Sequence, residues 1–231
     1  MVFQGLMLTL RPMEQQENIF PNGIPGLNGS SAEWSENVII ADADYVDRVA
    51  FNLIVNFERM LMRRVPAADL ARWIDCVALD GGMRPVPPSE SRTPTTHVVL
   101  LHSKDKEQMD NFRPSHFAQE LQGKAFSDNL GEFIITPLTV EDMIGGDELL
   151  LDVLHTVCGQ KQVKRIMLVP DAENAELVGS IRNVLRQCDD DSKRITVLAM
   201  EPLRGGNFRQ EILGYSLMSA LGISGEELKE Q

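Results

Sequence analysis

Three acids stand at the end of one apolar run. Val38-Ile39-Ile40-Ala41 passes directly into Asp42, Asp44 and Asp47, and a helical pattern follows at once. A second cluster repeats the arrangement: Ile166-Met167-Leu168-Val169 runs through Pro170 into Asp171 and Glu173, again before a helical stretch. Asp147 and Asp152 lie at the start of the helix preceding that run. In open α/β folds the carboxyl end of a buried strand faces the crevice where ligands bind. Carboxylates gathered there repel one another, and a hard divalent cation relieves the repulsion while keeping part of its water shell. The chemistry would be attack of metal-activated water on a phosphodiester or phosphomonoester. The same acids also have a plainer use. Asp44 or Asp47, Asp147 and Asp171 can each cap the helix that follows, by accepting a backbone N–H bond.

The elements that must position these acids follow from periodicity. A strand over 38–41 leads into a helix over 47–64, with a stripe of Val46, Val49, Ala50, Leu53, Ile54, Phe57, Met60 and Leu61. Arg59, Arg63 and Arg64 crowd its last turns, where cations complement the helix dipole. Pro66 suits the first turn of a second helix, carried by Leu70, Trp73, Ile74 and Val77 and closed by Gly81-Gly82. Strands are predicted over 96–101 and 131–136, with a short helix over 115–121 between them. A polar run over 123–131 reads as a loop, with Lys124 as a group able to meet a phosphate. A helix runs from Asp147 to Cys158, and a βαβ unit follows over 165–169, 174–187 and 195–199. A last helix over 208–221, opening at Phe208 and closing at Leu221, is apolar around much of its circumference. It is either buried or the face on which a second copy or a protein partner docks. Alternating strands and helices predict an α/β fold, a three-layer α/β/α sandwich with a mostly parallel sheet, Rossmann-like or PIN-like. Residues 37–231 form its single domain. Residues 1–36, rich in turn formers between Phe20 and Ser31, form a flexible arm.

Composition narrows the function classes. The 231 residues carry a net charge of −12, which argues against broad, salt-driven nucleic-acid binding. A bound cation would reverse the local field at an acidic cleft and allow a phosphate ester in. Cys76, Cys158 and Cys188 are odd in number and form no CxxC pair, which fits a reducing compartment. No apolar run approaches a membrane span, and residues 2–10 lack the basic region of a signal peptide. The expectation is a soluble, cytoplasmic protein that engages no membrane. His97, His102, His116 and His155 show no metal spacing and read as core or surface residues. Gly205-Gly206 reads as a simple turn. No GxGxxG, GxxxxGK[ST] or GxSxG occurs, so dinucleotide, P-loop and serine-hydrolase readings lack support.

The acid motifs resemble those of the PIN-like nucleases, especially their NYN branch. Asp42-Ala43-Asp44-Tyr45 is similar to that family's first motif, and Val169-Pro170-Asp171-Ala172-Glu173-Asn174 loosely to its later one. Asp147 resembles the family's intermediate acid, with Asp152 a further candidate. The resemblance implies that Asp42, Asp147 and Asp171 bind Mg²⁺ or Mn²⁺, with Asp44 and Glu173 assisting, and that Asp42 and Asp171 are catalytic. It implies RNA or another phosphoester as substrate. Tyr45 stands where the family has Asn, Val169-Pro170 where it has Ser-Gly, and Asn174 where it has an aromatic residue. These departures bear on catalysis more than on fold. Over residues 37–225 the chain also resembles an uncharacterised family of Bacteroidetes proteins with no assigned function. Residues 38–46 satisfy, besides, the haloacid-dehalogenase pattern of an apolar strand followed by Asp-x-Asp-x-Val. Asp42 would then be a phosphatase nucleophile, Asp44 its general acid and Ser103 a phosphate-binding hydroxyl. A helix beginning right after the strand disfavours that reading, because those enzymes need a loop and flap there. A third reading is a non-catalytic descendant of a PIN-like fold, working as an interaction module.

Overall fold

Runs of β-branched and leucine residues bounded by turn formers become strands in the computed structural model, which describes residues 11–12, 34–87, 93–140, 145–188 and 191–228. In chain order these hold β1 (Arg11–Pro12), β2 (Asn37–Asp42), α1 (Ala43–Leu61), β3 (Ala68–Asp69), α2 (Leu70–Asp80), β4 (Thr95–Ser103) and β5 (Phe112–Arg113). A one-turn π-helical segment, Phe117–Leu121, precedes β6 (Lys124–Asp128) and β7 (Gly131–Val140). Then come α3 (Gly146–Cys158), β8 (Arg165–Val169), α4 (Ala175–Gln187), β9 (Arg194–Ala199), β10 (Arg209–Ile212) and α5 (Leu213–Ala220).

The fold is α/β, built on a large mixed but mostly parallel sheet. Its order is β1-β6-β7-β4-β2-β8-β9-β10, and the strands from β7 to β10 run parallel. At one margin β6 runs against the rest, pairing antiparallel with both β7 and β1. Strand β2 lies at the centre, between β4 and β8, and its first five residues are fully or almost fully buried. Side chains alternate across a strand, so β2 feeds two cores. Ile39 and Ala41 join one with α1, α2 and α5, while Val38 and Ile40 join the other with α3 and α4. Strands buried on both faces read as continuous apolar runs, which is why 38–41 and 166–169 stand out in the sequence.

Several expectations are corrected. Helix α1 begins at Ala43, not at 47, because Asp42 supplies its cap. Pro66 is not in the first turn of α2, which starts at Leu70 with Asp69 as cap. The run expected as a loop over 123–131 is β6 and the turn into β7. The helix expected over 208–221 is two elements: Arg209–Ile212 extends the sheet beside β9, and α5 starts only at Leu213. Of residues 1–36, most lie outside the described residues; Arg11–Pro12 pairs with β6, and Trp34 is buried against His97. Among the described residues no helix is long and apolar enough to cross a membrane.

Candidate functional site

The chain leaves β2 through α1 and α2 to reach β4 on one side, and leaves β8 through α4 to reach β9 on the other. The helices of these two connections cover opposite faces of the sheet. Where neighbouring strands send their connections to opposite faces, a crevice opens outside their carboxyl ends. Here that switch point lies between β2 and β8, whose registered ends are Ala41 and Val169. The two acid clusters read from the sequence flank it.

Asp42 ends β2 and caps α1: its Oδ1 accepts the Tyr45 N–H at 2.9 Å, with extended φ −74° and ψ 101°. Burial raises its pKa to about 6, against the lowering effect of that bond, and the nearby charges of Asp44 and Asp171 add to the rise. Asp44, in the first turn of α1, reaches across to the end of β4. Its Oδ2 accepts the Ser103 N–H at 2.9 Å and a short bond from the Ser103 hydroxyl. Its Oδ1 is buried without a hydrogen bond, 3.5 Å from Lys106 Nζ. Asp171, two residues beyond β8, pairs with Arg48 at 2.8 Å, and Glu173 approaches the same guanidinium at 3.4 Å. Asp171 also accepts the Glu173 N–H at 3.1 Å. Arg48 lies 5.2 Å from the Tyr45 ring centre, and its bond to Asp171 holds it firmly charged. The Tyr45 hydroxyl is buried without a hydrogen bond; burial, then the charges of Glu173 and Asp171, push its pKa to about 12.

The remaining acids are placed as follows. Asp147 sits in the first turn of α3, which Gly145 caps without a side-chain bond, so Asp147 is not the cap expected. Its Oδ2 accepts from Asn174 Nδ2 at 2.7 Å, and burial together with the Asp171 charge raises its pKa. Asp171 does not cap α4; Asn174 does, accepting from Glu176 N and Leu177 N. Asp47 neither caps α1 nor joins the cluster. It is buried and accepts from Asp110 N and Asn111 N, pinning the loop after β4. Asp152 is exposed on α3. His97 and His102 lie in separate packing environments: His97 against Trp34, His102 stacked on Phe117 and close to Thr139.

Asp42, Asp44, Asp147, Asp171 and Glu173 are therefore linked by charge and hydrogen bonds around one crevice. Among the described residues, no three Asp, Glu, His or Cys side chains are grouped to hold a metal ion. The donor chemistry nonetheless suits Mg²⁺ or Mn²⁺, which take one or two carboxylates and retain water rather than needing a protein cage. The Tyr45 hydroxyl and Asp44 Oδ1, the latter paired only by charge with Lys106, are buried polar groups at this edge without a hydrogen bond. Arg48 and Lys106 escaped the sequence reading. The signal for Arg48 was its position four residues after Asp44, on the same helical face. A family of unknown function, DUF6621, matches the chain over residues 31–228. No curated protein and no solved structure matches it.

Proposed function

The chain belongs to DUF6621, a family of unknown function, and we propose that it is a PIN-like, three-layer α/β domain using Mg²⁺ or Mn²⁺ to hydrolyse phosphodiesters, with RNA the substrate class. One observation carries this: the half-buried Asp42 carboxyl at the switch point, raised toward neutrality by desolvation with help from Asp44 and Asp171. A carboxyl group in that state gains most from an added cation. Asp42 and Asp171 would hold the ion, with Asp44 oriented by Ser103, and Asp147 and Glu173 at the margin of the crevice. When bound, the ion would polarise a coordinated water and offset the charge that develops on the phosphoryl oxygens. Arg48, half-exposed and charged, would meet a phosphate oxygen once it leaves Asp171.

A haloacid-dehalogenase-like phosphatase is favoured less. Asp44 does lie on Ser103, as that reading requires, but α1 starts at Ala43 and leaves no loop or flap after β2. A non-catalytic interaction module has one observation of its own: Arg48 already neutralises part of the Asp171 and Glu173 charge without a metal. Its partner surface would be β10 and α5, where Tyr215 is 71% exposed.

Calorimetric titration of Mn²⁺ and Mg²⁺ into the wild type and the Asp42→Asn and Asp171→Asn variants decides between them. Stoichiometric binding lost in both variants is the expected result, followed by metal-dependent cleavage of a labelled single-stranded RNA. Absence of binding to a folded wild type overturns the hydrolase proposal and leaves the interaction module.

A further inference from the structure

The opposite, amino edge of the sheet gathers cations. Arg165 and Arg194 begin β8 and β9 and stand directly opposite each other in register. Like charges so placed on paired strands repel and destabilise the pairing. Arg209 begins β10 opposite Thr196, two residues along from Arg194, so all three arginines leave the same face of the sheet. A fourth, Arg84, lies just after α2.

Their positions are fixed mostly by neutral acceptors, which leave the charge uncancelled. Arg165 donates to Gly81 O and to Asn37 Oδ1, both at 3.1 Å. Arg84 donates to Met83 O at 2.7 Å and Leu79 O at 3.4 Å. These carbonyls belong to the C-terminal end of α2 and the turn after it, so two arginines have a structural use there. Arg194 and Arg209 have none. Both are exposed, and although their backbones are held in the sheet, neither guanidinium makes a hydrogen bond or ion pair among the described residues. Of the acids here, Glu36 approaches Arg165, and Asp191 lines the same cleft as Arg194 and Arg209. That cleft measures about 550 Å³ and is also lined by Lys193, Ser192 and Asn207. In a chain of net charge −12, this local gathering of positive charge, opposed by its own sheet register, is a place where a bound anion would relieve repulsion.

We propose that Arg194 and Arg209, backed by Arg165 and Arg84, form a binding site for a small oligophosphate-bearing molecule at the amino edge of the sheet. Guanidinium groups suit it because each presents paired donors to phosphate oxygens. The cleft is open to solvent and mostly polar in its lining, so it offers a ligand charge and hydrogen bonds rather than enclosure. The site is separate from the carboxyl-edge acids and does not depend on what they do.

Inorganic tripolyphosphate is the probe, titrated calorimetrically at about 0.15 M ionic strength so that unspecific attraction is screened. Saturable binding is expected, weakened roughly tenfold or more by Arg194→Gln and by Arg209→Gln, and unchanged in Asp42→Asn. Arg194 is exposed and its loss relieves a like-charge contact, so the variant should fold, which circular dichroism checks. Arg194→Lys separates geometry from charge: affinity below wild type supports guanidinium recognition. Three results overturn the proposal: no saturable binding to the wild type, equal affinity in Arg194→Gln, or retention of single-stranded RNA with no binding of tripolyphosphate.

Discussion

Asp42 serves the backbone and the crevice at once. Its carboxylate caps α1, yet burial and two neighbouring acids penalise its ionised form. With a folded-state pKa of about 6 against an ordinary value of 3.8, the folded protein binds the proton more tightly than the unfolded chain does. The associated stability is full below about pH 4 and is lost as pH rises through about 6. Asp42→Asn keeps a capping oxygen and removes the charge. It should therefore gain on the wild type by roughly 1–3 kcal/mol between about pH 4 and pH 8 in urea unfolding. A stability difference that does not change with pH would contradict the electrostatic account. At this scale the sequence reached the right neighbourhood: strand-end acids were legible because apolar runs ended in them. Which acid capped which helix was not, since a cap is set by where the backbone turns helical, a shift of one or two residues. Asp47 shows the difference: the fifth residue of α1, it points to a loop that no local pattern announced.

Among the elements, α4 shows how a departure from a resemblance acquires a local reason. Asn174 caps that helix through Glu176 N and Leu177 N and ties its start to Asp147 on α3. Asn174→Ala should cost about 1–2 kcal/mol of unfolding free energy, measured by thermal or urea denaturation. Asn174→Asp keeps the cap but sets a charge beside Asp147 and should recover only part of the loss. The helices with strong apolar stripes, α1 through α4, were legible from periodicity, as were the buried central strands. Strand β10 was not. Its Arg-Gln-Glu-Ile sequence carries too few residues to establish a period, and only pairing with β9 makes it a strand. Strand β6 was hidden for the same reason: its polar residues gain their hydrogen bonds from β7, a partner in space rather than a pattern in sequence.

For the molecule as a whole, the sheet separates two apolar cores. Leu217 on α5 is fully buried in one and Leu154 on α3 in the other. Truncating either to alanine should cost about 2–5 kcal/mol. Because the sheet lies between them, the double variant should lose the sum of the two within about 0.5 kcal/mol, as read from urea unfolding. Strong coupling would mean that the sheet transmits packing strain from face to face. The strand order, invisible to periodicity, also sets where charge goes. Parallel strands put all their beginnings at one edge and all their endings at the other. Acids at the endings and arginines at the beginnings therefore polarise the protein along its strands. Within a Debye length of the surface, roughly 8–10 Å, its local field would favour cations at one end and anions at the other. Partners of opposite sign could then dock at once without competing for the same surface.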